Sequence, residues 1–93
     1  MTVTMILGKV VGTVWATRKD EELVGMTFQI VKHVDLDYKV KDTFVVAVDT
    51  VQAGVGDVVL VTSGSSARQT VQTKNKPVDA VIVAVVDKLD VAD

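Results

Sequence analysis

The sequence predicts an all-β fold, a small five-stranded OB-like barrel with one short helix between strands 4 and 5. Apolar stretches of strand length are broken by turn residues, valine is the commonest residue, and helix-forming runs are missing. Runs such as FVVAV and AVIVAVV are continuously apolar, so both faces of the sheet need cover. The length predicts one domain over residues 1–93.

The first two strands are predicted from glycine spacing and from alternation. The first runs from Thr4 to Thr17, where Gly8 and Gly12 indicate bends or a close backbone approach. The second runs from Leu23 to Val34, because apolar and polar residues alternate there with a period of two.

Turn residues separate the remaining elements. A polar loop is predicted over Asp35–Asp42, and Ser65 is expected to cap a helix of one or two turns that ends near Val71. The other three strands are predicted at Thr43–Thr50, Asp57–Ser63 and Asp79–Leu89.

The composition predicts an oligomer. Hydrophobic residues make up 48% of the chain and the mean hydropathy is +0.37, yet no apolar run approaches the roughly 20 residues that span a bilayer. A small domain cannot bury that much apolar surface alone, so a subunit interface is expected. There is no cysteine and no secretory signal pattern, so we expect a cytoplasmic protein without disulfides that does not bind membranes.

Charge and aromatic content argue against nucleic-acid binding. The net charge is −2, and basic and acidic residues are spread along the chain. Phe28 and Phe44 are predicted core residues, which leaves only Trp15 and Tyr38 as stacking platforms for single-stranded nucleic acid. We therefore expect no nucleic-acid partner.

The glycine-serine stretch AGVGDVVLVTSGSSAR does not match any nucleotide-binding or nucleophile motif. It lacks the lysine and spacing of a P-loop, and Val59 stands where a dinucleotide fingerprint needs its third glycine. Its serines lack the following glycine of a nucleophile elbow. No catalytic residue and no cofactor are predicted.

The remaining candidates for chemistry are isolated. His33 is the single histidine and is predicted to be a surface or interface residue. Asp35 and Asp37 are predicted to lie in a solvated turn. One histidine with scattered carboxylates does not supply the three or four ligands of a metal site, so none is predicted.

Three blocks of sequence resemble the EutN/CcmL family of bacterial microcompartment vertex proteins. They are GKVVGTVWATRKD at Gly8–Asp20, AVDTVQAGVGDVVLVTSGSSAR at Ala47–Arg68 and PVDAVIVAVVDKL at Pro77–Leu89. The resemblance implies an OB-like barrel that assembles as a homopentamer and caps the vertices of a polyhedral shell. The flat facets of such shells are tiled by hexameric proteins, which are the implied partners.

The resemblance also suggests roles for single residues, as hypotheses. The subunit interface or pore would include Gly54, Val55, Gly56, Gly64, Ser65, Ser66 and Arg68, with Arg68 bonding the adjacent subunit. Lys9 and Lys19 would face the facet proteins. Three positions depart from the family pattern: Gln52 replaces a glycine, Asp57 a glutamate and Met26 a basic residue, which would alter the outer surface.

The leading function is thus a structural shell protein with no enzymatic activity. The alternative is an oligomeric OB-like module that binds a small molecule or a cargo peptide. A pentamer would favour the first, and a monomer or dimer the second.

Overall fold

The fold is a closed five-stranded barrel. A computed structural model describes residues 4–16, 19–64 and 79–92. The strands close in the order β1-β2-β3-β5-β4, antiparallel at every pairing except β3 with β5, which confirms the predicted all-β architecture. The strands are β1 (Thr4–Val14), β2 (Thr27–Val34), β3 (Val40–Asp49), β4 (Val58–Ser63) and β5 (Ala80–Val85). The helix predicted after β4 falls outside the described residues.

Several predicted strand ends are wrong. β1 ends at Val14 rather than Thr17, and β5 ends at Val85 rather than Leu89. β2 starts at Thr27 because a 3₁₀ turn occupies Glu21–Leu23, with the Asp20 carboxylate accepting from the Glu22 backbone N–H at 2.8 Å. The hydrogen bond of the Asp20 side chain therefore favours the 3₁₀ turn over an extension of the β2 strand in this segment.

The connection between β2 and β3 is shorter than predicted. The Asp35 carboxylate accepts from the backbone N–H groups of Asp37 at 2.8 Å and Lys39 at 3.0 Å, and Tyr38 has a φ of 64°. These bonds turn the chain within residues 35–39, so pairing resumes at Val40 opposite Val34. The bonds from Lys39 and then Asp37 lower the pKa of Asp35 below its ordinary value.

The barrel interior is filled mainly by β-branched side chains. Val10, Val31, Val59, Val61 and Ile82 are fully buried and form one cluster with neighbouring alanines. Such a core follows from strand alternation, which directs every second side chain inward.

Two irregularities shape the wall formed by β1, β2 and β3. A Cβ atom at Gly8 would lie 2.8 Å from the Lys32 carbonyl oxygen and closer still to Val31, which confirms the predicted close approach. The register of the β1–β2 ladder shifts between Val10 and Gly12, and that of the β2–β3 ladder shifts between Lys32 and Val34. At the first shift β1 has one more residue than β2, and at the second residues 41–43 of β3 lie opposite His33 alone. The extra residues therefore belong to β1 and β3, where such bulges bend a strand locally.

The predicted core role of the two phenylalanines is confirmed for one and wrong for the other. Phe28 packs, with Leu23 and Met26, against a second buried cluster of Val48 and Val81 on the outer side of the wall. Phe44 is 58% exposed. Its neighbour Val45 packs inward, so alternation turns Phe44 to the outside.

Candidate assembly surface

The loop Ala53–Gly56 is a tight turn fixed to β1. The Asp57 backbone N–H donates to the Gly54 carbonyl at 3.0 Å, and the Asp57 carboxylate accepts from the Gly54 N–H at 2.8 Å. Gly56 has a φ of 98°, as the third residue of a type II turn requires, and its N–H donates to the Val10 carbonyl at 2.8 Å. The turn presents Val55, which is 68% exposed, at its tip.

A buried glutamine holds the base of this loop. Gln29 Nε2 donates to the Ala53 carbonyl at 3.0 Å and to Asp49 Oδ2 at 3.2 Å, while Gln29 Oε1 accepts from the Thr13 hydroxyl at 2.7 Å. These three bonds tie β1, β2 and β3 to the loop. Sequence reasoning missed this role, since Gln29 read simply as a polar position of an alternating strand.

Gln52 adopts the backbone conformation that a glycine would favour. Its φ is 60°, in the left-handed region where a side chain costs about 1–2 kcal/mol. The preceding Val51 N–H donates to Asp49 Oδ1 at 3.0 Å and helps to hold the chain there. Met26, another of the three departures, packs against the second cluster.

The glycine-serine segment after β4 is described only at its ends. Gly64 has a φ of 70° and donates its N–H to the Asp79 carbonyl at 2.9 Å, beside the paired residues Ser63 and Ala80. Gly64 and Asp79, the described residues on either side of positions 65–78, are therefore neighbours. Ser65, Ser66 and Arg68 lie outside the described residues.

The outer face of β1, β2 and β3 is apolar with a basic centre. Phe44 and Val46 are 58% and 45% exposed, and Val46 stands opposite Ile30. Phe44 lies opposite Lys32, which lies opposite Lys9 on β1. Like charges directly across a ladder destabilise a sheet, and the sole ion pair among the described residues is Lys88–Asp90 at 3.7 Å. Among the described residues, no side chain buries the apolar residues of this face and no carboxylate pairs with its lysines.

Other exposed groups lie at opposite ends of β2. Trp15 is 88% exposed just after β1, whose Val14 pairs with Phe28 at the start of β2. Tyr38 follows the end of β2, and its hydroxyl accepts from the Leu89 N–H at 2.9 Å. The two rings do not form one stacking platform. Lys19 Nζ lies 5.9 Å from the centre of the Phe28 ring.

The groups that could carry chemistry are not brought together. Over residues 4–16, 19–64 and 79–92, no three histidine or carboxylate side chains are grouped so that they could hold a metal ion. In that same part of the chain, no helix is long and apolar enough to cross a membrane. His33 is half-buried, and its Nδ1 is buried without a hydrogen-bond partner.

Comparison with known proteins gives concordant matches over most of the chain. The family model described as ethanolamine utilisation protein EutN/carboxysome matches residues 5–87. The carboxysome shell vertex protein CcmL of Thermosynechococcus vestitus is 39% identical, over 89% of this chain and 84% of the relative.

The microcompartment shell vertex protein GrpN of Rhodospirillum rubrum is 41% identical, over 92% of this chain and 97% of the relative. The solved structure of that pentameric protein superposes with a TM-score of 0.85 at 39% identity, and covers 94% of this chain and 99% of the other.

Proposed function

The chain belongs to the EutN/CcmL family, and from this membership we propose that it forms homopentamers that cap the vertices of a bacterial microcompartment shell. The observation that carries the proposal is the identity of 39–41% to shell vertex proteins over about nine-tenths of the chain. The role is structural and involves no enzymatic reaction. Flat hexagonal layers close into a polyhedron where five-fold units replace six-fold ones, so the partners would be hexameric facet proteins.

The outer face of β1, β2 and β3 supports the ring. A five-membered ring uses a head-to-tail interface in which two different surfaces of each copy meet. Phe44 and Val46 offer apolar area that the described subunit leaves uncovered, and core positions of subunit interfaces are enriched in such side chains. We propose that this part of the face packs against the adjacent subunit.

The turn Gly54–Gly56 and the segment that starts at Gly64 would complete the interface near the five-fold axis. Val55 projects from a turn that the hydrogen bonds of Gly54, Gly56 and Asp57 hold in place, so its side chain can contact a neighbouring subunit without a change in the turn. Ser65, Ser66 and Arg68 follow Gly64 in sequence, and Arg68 would bond a carboxylate or carbonyl of the adjacent subunit.

Native mass spectrometry tests the ring directly. Five chains of 10.0 kDa give an assembly of about 50 kDa. A monomer or dimer as the sole species at micromolar concentration would contradict the proposal. Arg68→Ala should weaken the ring, whereas Lys88→Ala, which removes an exposed cation on the C-terminal segment, should leave it intact.

The facet contacts require a separate experiment. We propose that Lys9 and Lys19 meet carboxylates of facet proteins, since neither has an ion-pair partner among the described residues. Co-expression with facet proteins should yield closed shells with the wild-type chain and incomplete shells with Lys9→Ala/Lys19→Ala, although that variant still forms pentamers. Equally closed shells without this chain would refute the vertex role, and loss of the pentamer would assign the lysines to the ring.

A further inference from the structure

An open depression of about 540 Å³ lies at one end of the barrel, where β1 begins, β2 ends and β3 begins. Its volume falls within the range of small-molecule sites, which also favour the mouths of β-barrels. Apolar side chains form most of its lining, namely Met5, Ile6, Leu7 and Val34. A short aliphatic group would therefore find an apolar surface here.

The polar groups of the depression share one character. They are His33, Lys41 and Thr43, and among the described residues no carboxylate lines the depression. The lysine ammonium and the threonine hydroxyl are hydrogen-bond donors, and neither has a hydrogen-bond partner among the described residues. The Lys41 ammonium also attracts the Asp35 carboxylate, which does not line the depression. This set of groups is complementary to an anion.

The imidazole of His33, which lies opposite the bulged residues 41–43 of β3, adds a third polar group. His33 lines the depression and its Nδ1 is buried without a hydrogen-bond partner, so we assign contact with a bound group to Nε2. Orphaned buried N–H groups are rarer than under-satisfied acceptors, which favours an unprotonated Nδ1. The neutral ring then carries its proton on Nε2, where it can donate to a bound group.

We propose that the depression binds a small organic carboxylate with a short aliphatic tail. The carboxylate accepts from the Lys41 ammonium, the Thr43 hydroxyl and His33 Nε2–H, and the tail packs on the lining formed by Met5, Ile6, Leu7 and Val34. The site is built from one subunit, so it does not depend on the vertex role. No covalent step is involved.

Titration of the wild-type assembly with sodium butyrate, followed by NMR, tests this proposal. His33 is the single histidine, so its imidazole gives one reporter signal free of overlap. That signal and the Leu7 and Thr43 methyl signals should shift saturably with one common dissociation constant. 1-Butanol, which has the same tail without the charge, should bind at least tenfold more weakly.

Matched lysine variants complete the test. Lys41→Met keeps an aliphatic stem but removes a charge-assisted hydrogen bond, and should weaken butyrate binding by about ten- to a hundred-fold. Lys39→Met removes a charge from the connection between β2 and β3, outside the depression, and this variant should bind butyrate like wild type. Both side chains are exposed, so neither variant should unfold.

Three outcomes would overturn the carboxylate site. They are the absence of a saturable His33 shift, equal affinities for the Lys41→Met and Lys39→Met variants, and dissociation of the ring in Lys41→Met while butyrate fails to bind wild type. The third would make the depression a contact between subunits. A wild-type chain that is monomeric yet binds butyrate would refute the pentamer and leave the carboxylate site standing.

Discussion

The two faces of the barrel wall differ in completeness. Inside, fully buried valines and Ile82 pack against each other, and Gly8 lets β1 approach β2 closely. Outside, Phe44 and Val46 remain exposed, and Lys9 and Lys32 face each other with no anionic partner among the described residues. The apolar side chains of the inner face are buried within one chain, whereas those of the outer face would be buried only by a second subunit. Changes inside should therefore reduce folding stability, and changes outside should reduce assembly.

The largest effect on folding is expected from Ile82→Ala. Truncating a fully buried isoleucine leaves a cavity and should lower the free energy of unfolding by about 2–5 kcal/mol. Val85→Ala on the same strand removes a side chain that is 42% exposed and should cost less than about 1 kcal/mol. Urea denaturation at equal protein concentration measures both, and similar losses would contradict the contrast between the faces.

Gly8→Ala tests the close approach of β1 and β2. The added methyl group would overlap the Lys32 carbonyl and Val31, so β1 must shift, at a cost of about 1–3 kcal/mol. Gly12→Ala is the matched control, because its methyl group would meet only Ile30 Cδ1 at 3.5 Å, an ordinary contact. Equal urea midpoints for the two variants would show that Gly8 is not needed for packing.

Gln52→Gly should stabilise the protein. Glycine adopts the positive φ without strain, but it also increases the conformational entropy of the unfolded chain. The free energy of unfolding should therefore rise by no more than about 1 kcal/mol. Gln52→Ala keeps the strained φ and should show no such gain. Thermal unfolding followed by circular dichroism should thus place the glycine variant above wild type, and the reverse order would refute strain at this residue.

Phe44→Glu should separate assembly from folding. The side chain is exposed, so the subunit should lose less than about 0.5 kcal/mol of stability, while a buried charge at the interface should dissociate the ring. Circular dichroism reports the first effect and native mass spectrometry of a dilution series the second. Val91→Glu, on an equally exposed apolar residue of the C-terminal segment, should keep the pentamer.

The smallest effect concerns the turn between β2 and β3. The pKa of Asp35 is lowered in the folded protein from its ordinary value of 3.8. The ionised carboxylate therefore stabilises the turn fully at pH values above 3.8. That contribution should disappear as the pH falls through the lower, folded pKa. Amide hydrogen exchange of Asp37 and Lys39 should accelerate in acid beyond the intrinsic trend. Asp35→Asn should remove this extra pH dependence, and an unchanged profile would contradict the role of the carboxylate.

The sequence was sufficient to predict the strands and the barrel, since valine-rich runs and turn residues act locally. It was insufficient to predict which way single residues face. Phe44 looked like a core residue because hydrophobicity alone does not fix register, and bulges at residues 41–43 of β3 and near Gly12 of β1 reset the alternation. The hydrogen bonds of Gln29 likewise depend on residues 16 to 24 positions away in sequence.

For the candidate site, sequence patterns located the glycine turns but not the depression beside His33. The positive φ values of Gly56 and Gly64 follow from residue type, so those turns could be predicted. The depression arises where three strand ends meet, and His33 is eight positions from Lys41 and ten from Thr43 in sequence. No local spacing links His33 with Lys41 and Thr43.

The exposed Trp15 has a practical consequence for observing assembly. The chain contains one tryptophan, so its fluorescence spectrum reports a single environment in every subunit. If ring formation covers the indole, its emission moves to the blue on pentamer formation. If facet proteins cover it, the shift waits for shell closure. The same unlabelled protein thus reveals the order in which its surfaces are occupied.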